Sequence, residues 1–204
     1  MNYNKGFKHV QKIAKNSSAS RPVLQGIKHT ESDIISTDGH RLLSFTDDKA
    51  SFEDHLIHFK TGDIIEGVYP DISRLINNED YSNEINIKYE EIEILRKMFK
   101  SGKTLKYEYV ILIYKPNLID FKLNVNDNKS LLNKLDINYK LIYNEEKIQG
   151  EYEIILNLDY MIDLFDFLYD TGKDTVLKIN DDTRPLHFTN NKDYTYLILP
   201  IRRV

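Results

Sequence analysis

Apolar residues recur at helical spacing in the first segment of the chain. Phe7, Val10, Ile13 and Ala14 share one face of a helix predicted over 5–15, and Lys5, Lys8, Lys12 and Lys15 share the opposite face. Asn16-Ser17-Ser18-Ala19-Ser20 closes this helix, and Pro22 prevents it from continuing. The period then shortens to two: strands are predicted over 23–29, 34–36 and 41–46, and 52–59 alternates in the same way. A polar joint at 77–82 separates a first domain, 1–80, from a second, 81–204. The second opens with a strand at 85–89 and a helix over 90–100 that buries Ile92, Leu95, Met98 and Phe99. Strands over 107–114, 118–125 and 137–143 follow, with 129–135 as a connector. The same succession then recurs: a strand at 152–156, Asn157 as N-cap, a helix over 158–168, and strands at 176–179, 186–189 and 194–199. The pattern is that of an α+β protein.

Composition narrows the function classes. With 204 residues the chain is long enough to bury a substantial core. A formal net charge of −4 with 29% charged residues is not the profile of a protein that grips DNA by bulk charge. The absence of cysteine excludes a disulfide framework, a thiolate metal site and a cysteine nucleophile. No long apolar run and no signal peptide is present, so a cytoplasmic protein with no membrane association is expected.

Catalytic chemistry is equally hard to find. The six histidines, His9, His29, His40, His55, His58 and His187, show no metal-ligand spacing and read as surface residues. His55 and His58 point to opposite faces if their segment is a strand. No phosphate-binding glycine loop or nucleophile elbow occurs, and the acidic pairs Asp47-Asp48 and Asp181-Asp182 fall in turns. The expectation is a protein without enzymatic activity, metal or cofactor. An enzyme acting on nucleic acid stays only as a formal alternative.

The stretch Ser36-Thr37-Asp38-Gly39-His40-Arg41-Leu42-Leu43 is a strand turning at Asp38-Gly39 into a second strand. It stands in one chain with Arg21-Pro22-Val23-Leu24-Gln25-Gly26, Val68-Tyr69-Pro70-Asp71-Ile72-Ser73-Arg74-Leu75-Ile76, Arg184-Pro185-Leu186 and the C-terminal 196–204. In order and spacing these segments resemble the bacterial DNA polymerase III β subunit, the sliding clamp. The resemblance implies antiparallel sheets with helices on one face, built as a reduced middle-type domain over 1–80 and a complete C-terminal-type domain over 81–204. Residues 48–70 leave no room for the second half of a middle domain, and the family's N-terminal domain has no counterpart in the sequence.

The resemblance also implies a function: a replication protein that docks short clamp-binding peptides of polymerase and other replication or repair proteins, carrying a Gln and apolar or aromatic anchors, in an inter-domain groove. The implied groove comprises Thr37, Gly39, His40, Arg41 and Leu42; Pro70, Arg74 and Leu75; Pro185; and Leu197, Leu199, Pro200, Ile201 and Arg202. Leu42, Leu75, Pro70, Leu197 and Leu199 form its apolar pocket, and Arg41, Arg74 and Arg202 rim it with donors. In such clamps the first helix lines the DNA hole, which would make Lys5, Lys8, Lys12 and Lys15 DNA-facing. Asp159, Asp163, Asp166 and Asp170 share a face of the last helix and would set carboxylates against phosphates, so weak or no duplex binding is expected. Whether the chain forms a ring, and in what oligomeric state, is left open. The alternative is a non-ring decoy or adaptor, from a mobile element, that competes with the host clamp for its ligands.

Overall fold

In the computed structural model, residues 3–47, 52–76, 81–124, 137–143 and 151–202 are described, and they divide into two compact units. One comprises Met1–Asp80 with His187–Leu197, the other Tyr81–Leu186 with Ile198–Val204. By contacts, the stretch 187–197 therefore belongs with the first unit. The predicted connector over 129–135 lies outside the described residues.

The first unit opens with helix α1 (Tyr3–Lys15), which buries Gly6, His9, Val10, Ile13 and Ala14. It packs on strands β1 (Gly26–Thr30), β2 (Asp33–Thr37) and β3 (Arg41–Thr46), whose Ile27, Ile34, Leu43 and Phe45 supply the core beneath it. Gly6 is required by the close approach of Phe45, whose ring a Cβ at this position would strike. The predicted strand over 23–29 begins late: Pro22–Gln25 is a 3-10 turn, and only Gly26 onward is extended. Pro22 fixes φ and lacks an N–H, which suits the start of a helical turn and not a strand interior. Strand β4 (His55–His58) pairs antiparallel with β1, and the sheet runs β4-β1-β2-β3-β12-β11, with β11 at Leu186–Thr189 and β12 at Tyr194–Ile198. A short helix, α2 (Ser73–Ile76), was not anticipated from the sequence.

The second unit has the predicted double succession. Strand β5 (Asn83–Ile87) leads to α3 (Tyr89–Thr104) and then β6 (Tyr109–Lys115), β7 (Leu118–Asn124) and β8 (Asn138–Ile142). Strand β9 (Tyr152–Asn157), α4 (Leu158–Thr171) and β10 (Thr175–Ile179) repeat the beginning of it. The sheet order is β8-β7-β6-β9, and β5 pairs antiparallel with β10. Asn157 does cap α4, its side chain accepting from the Tyr160 N–H at 3.1 Å, and Gly172 closes the helix at φ 68°. Helices α3 and α4 pack together around Phe99, Phe121 and Phe165, with the Phe99 and Phe165 rings edge-on at 5.1 Å. Met98, expected in this core, is only half-buried. Among the described residues no helix is long and apolar enough to cross a membrane.

Candidate functional site

Strands β2 and β3 pair in register up to Thr37 opposite Leu42, so the chain must reverse within 38–41. Gly39 takes φ 89°, a left-handed conformation that side chains disfavour. The Asp38 carboxylate completes the bend: Oδ1 accepts from the N–H groups of His40 and Arg41, each at 3.0 Å, and Oδ2 accepts from Arg41 Nε at 2.9 Å. Thr37 Oγ1 donates to the Arg41 carbonyl at 2.7 Å and accepts from the Gly39 N–H at 3.1 Å. The turn thus satisfies its backbone from within, leaving Gly39 and His40 exposed.

Two expectations change here. Arg41 is not a rim donor: its side chain is 0% exposed and held by Asp38. Leu42 and Leu197 belong to the core, because both sit on strands whose faces are covered.

Segment 68–76 meets this turn within the same unit. The Tyr69 hydroxyl accepts a hydrogen bond from the Thr37 N–H at 3.0 Å. Burial pushes this phenol far above its ordinary pKa, with the Thr37 hydrogen bond opposing and the Asp38 charge adding to the rise. Asp71 Oδ1 accepts from the Ser73 N–H at 3.0 Å and from Ser73 Oγ at 2.6 Å, which starts α2. The Ser73 hydrogen bonds hold the Asp71 carboxyl below its usual value. Pro70 and Arg74 are exposed, and Leu75 keeps 46% of its surface. Sequence reading placed Tyr69 in a matched segment but gave it no role. An aromatic residue before proline, with a polar tip, was the available signal.

The second unit carries the remaining positions. Pro185 and Pro200 are half-buried, Arg202 is exposed, and Leu199 and Ile201 keep 39% and 38% of their surface. The Ile201 N–H donates to the Ile155 carbonyl at 2.8 Å, tying the tail to β9. Tyr152, Ile155, Ile201 and Arg202, with Glu151, Glu153, Asp182 and Thr183, line a cavity of about 660 Å³.

The charged stripes are arranged differently from one another. Lys5, Lys8, Lys12 and Lys15 are all exposed on α1. The aspartate face of α4 is not a bare row of carboxylates, because α3 sets cations against it. Asp166 accepts from Arg96 at 2.5 Å and lies 2.6 Å from Lys100, and Asp159 accepts from Lys103 at 2.7 Å. Burial raises the Asp166 carboxyl, but hydrogen bonds and charge from Lys100 and Arg96 outweigh it and leave its pKa below the ordinary value. Arg96 also lies over the Tyr169 ring at 4.3 Å.

The histidines also depart from the surface reading, since His9, His29 and His187 are buried. The His29 ring stacks on His55 at 4.7 Å, and the Tyr3 hydroxyl lies 3.1 Å from its Nε2. Burial, with repulsion from His55, lowers its pKa to about 4 against the Ile27 backbone interaction. Among the described residues no cluster of three or more potential metal ligands occurs.

The fold is that of the sliding clamp. The chain is similar to the Caulobacter (C. crescentus) beta sliding clamp, with a TM-score of 0.72 and 16% identity over 100% of this chain and 64% of that one. The Helicobacter pylori beta clamp, solved with a DNA ligase peptide, gives a TM-score of 0.72 and 15% identity over 98% and 63%. The DNA polymerase III beta chain of Streptococcus pneumoniae TIGR4 gives 0.72 and 20% identity over 98% and 63%. The chain thus spans a little under two thirds of the length of these clamps. No protein-family model matches the sequence, and no curated protein matches it.

Proposed function

We propose that this protein is a non-catalytic, clamp-like replication protein whose task is to dock short peptides with apolar anchors. Residues 1–80 act as a reduced middle-type clamp domain and 81–204 as a C-terminal-type domain, whose stretch 187–197 packs with the first unit. The observation that carries this reading is that, of the large apolar side chains exposed among the described residues, three stand at positions named by the resemblance. Leu75, Leu199 and Ile201, each at 38–46% exposure, occupy positions that the resemblance assigns to peptide binding. In the first unit exposed Pro70 and His40 with the donor Arg74, and in the second half-buried Pro200 with the donor Arg202, are apolar and polar groups of the kind such a peptide needs. A solved clamp with this fold carries a DNA ligase peptide, which supports the same ligand class here.

The test is fluorescence polarisation with a labelled peptide of the Gln-Leu-x-Leu-Phe type. Wild type is expected to bind saturably. Leu75→Asp and Leu199→Asp should each weaken binding by at least tenfold, since an anchor contact typically contributes about 2 kcal/mol or more. Unchanged affinity in both variants, with circular dichroism intact, would remove these residues from the site. No binding by wild type would end the reading.

A further inference from the structure

We propose that Tyr69 is a positioning residue, coupling segment 68–76 to the 37–41 turn so that these two parts of the first unit take up their binding geometry together. This rests on the peptide-docking reading above. Tyr69 follows exposed Val68 and precedes exposed Pro70, yet it is itself half-buried and its hydroxyl ends 3.0 Å from the Thr37 amide nitrogen.

That amide stands at the last β2 residue before the bend. The same residue's Oγ1 serves the Arg41 carbonyl and the Gly39 N–H. One phenol oxygen therefore joins a segment with little regular structure of its own to a turn fixed by a buried ion pair. Val23 adds to the brace, closing on the backbone at Gly67 so tightly that a Cβ there would come within 2.9 Å of its Cγ2. Without the hydroxyl, 68–76 keeps the Tyr69 ring but loses its directional tie. Pro70, Arg74 and Leu75 then sample more positions relative to His40, and the peptide bears the cost of ordering them.

Tyr69→Phe isolates the effect, because the ring stays and only the hydroxyl goes. Three measurements decide it: peptide affinity, melting temperature and hydrogen exchange of the Thr37 amide. A core variant of the first unit with a comparable melting shift, Ile13→Val, serves as control. The expected result is a three- to tenfold loss of peptide affinity in Tyr69→Phe, faster Thr37 exchange, and wild-type affinity in the control. Wild-type affinity in Tyr69→Phe overturns the proposal while leaving peptide docking intact. So does a loss that the control shares. A wild type that binds no peptide removes the docking reading and this proposal together.

Discussion

Arg41 and Arg96 each donate through Nε to an aspartate, at 2.9 and 2.5 Å, yet the two pairs do different things. The side chains of Arg41 and Asp38 are 0% and 1% exposed, and the two residues lie three positions apart within one turn. Those of Arg96 and Asp166 are 26% and 16% exposed, and they join two helices of the second unit. Taking a charge fully out of water is costly unless its partner and its hydrogen bonds are complete. In the first pair the Asp38 carboxylate also accepts from the His40 and Arg41 N–H groups, which ties the ion pair to one backbone conformation, so it specifies the shape of the turn. The second pair is wetter and shares Asp166 with Lys100, so it neutralises a helix face without demanding one geometry. Burial, more than distance, separates a charge that shapes the chain from one that balances a surface.

The largest effect is expected where this contrast is steepest. Arg41→Ala leaves the Asp38 carboxylate buried without its guanidinium and should cost about 3–5 kcal/mol, read as a lower denaturant midpoint. Peptide binding should go with it, through the turn and not through a lost rim donor. The double variant Asp38→Asn/Arg41→Met removes both charges while an amide oxygen can still accept from the His40 and residue-41 N–H groups. It should recover at least half of the lost stability. A single variant as destabilised as the double would mean that the turn, and not the stranded charge, carries the cost.

Acid separates the two units next. The folded-state pKa of His29 is lowered from its ordinary 6.5 to about 4, so the native state resists a proton that the unfolded chain accepts. Its contribution is complete above about pH 6.5 and is lost as pH falls toward 4, on the order of 2–3 kcal/mol. Asp166 is also lowered, but from 3.8, so its contribution is present above that value and is lost only below it. Stability measured by urea titration between pH 7 and 3 should therefore fall in two windows. His29→Phe should flatten the upper window and Asp166→Asn the lower. If His29→Phe leaves the upper slope unchanged, the stacked pair with His55 is not its source.

What the sequence disclosed follows the same division. Elements with strong periodicity were readable: α1 from Val10, Ile13 and Ala14, and α4 from its N-cap Asn157 and its apolar face. The 37–41 turn was readable because Asp-Gly carries its own geometry. Burial of side chains that pattern as polar was not. Arg41 reads as a surface donor in any window of sequence, and only the fold shows Asp38 folded over it. The acidic face of α4 misled for a related reason, since its counter-charges Arg96, Lys100 and Lys103 lie on a helix more than fifty residues away. Tyr69 was named within a matched segment, but its partner Thr37 is 32 positions distant, beyond what local pattern can pair.

The smallest effect is expected at the lysine face of α1, where the charges are neither buried nor required by the backbone. Lys5, Lys8, Lys12 and Lys15 are exposed, and removing charge from such positions changes stability by only about 0.5 kcal/mol. Their consequence, if they touch phosphates, lies in counterion release, with log affinity falling by about 0.9 per contact for each decade of salt. The chain's net charge of −4 works against long-range attraction, while the pairing of Asp159 and Asp166 with α3 removes part of the local repulsion that the sequence implied. Binding to linear duplex DNA should therefore be weak at low salt and gone at moderate salt. Replacing all four lysines with alanine should reduce the low-salt affinity several-fold and flatten the salt slope, measured by polarisation of a labelled duplex across a salt series. An unchanged slope would place the phosphate contacts elsewhere on the protein. Duplex binding that survives high salt would show that more than surface charge holds the DNA.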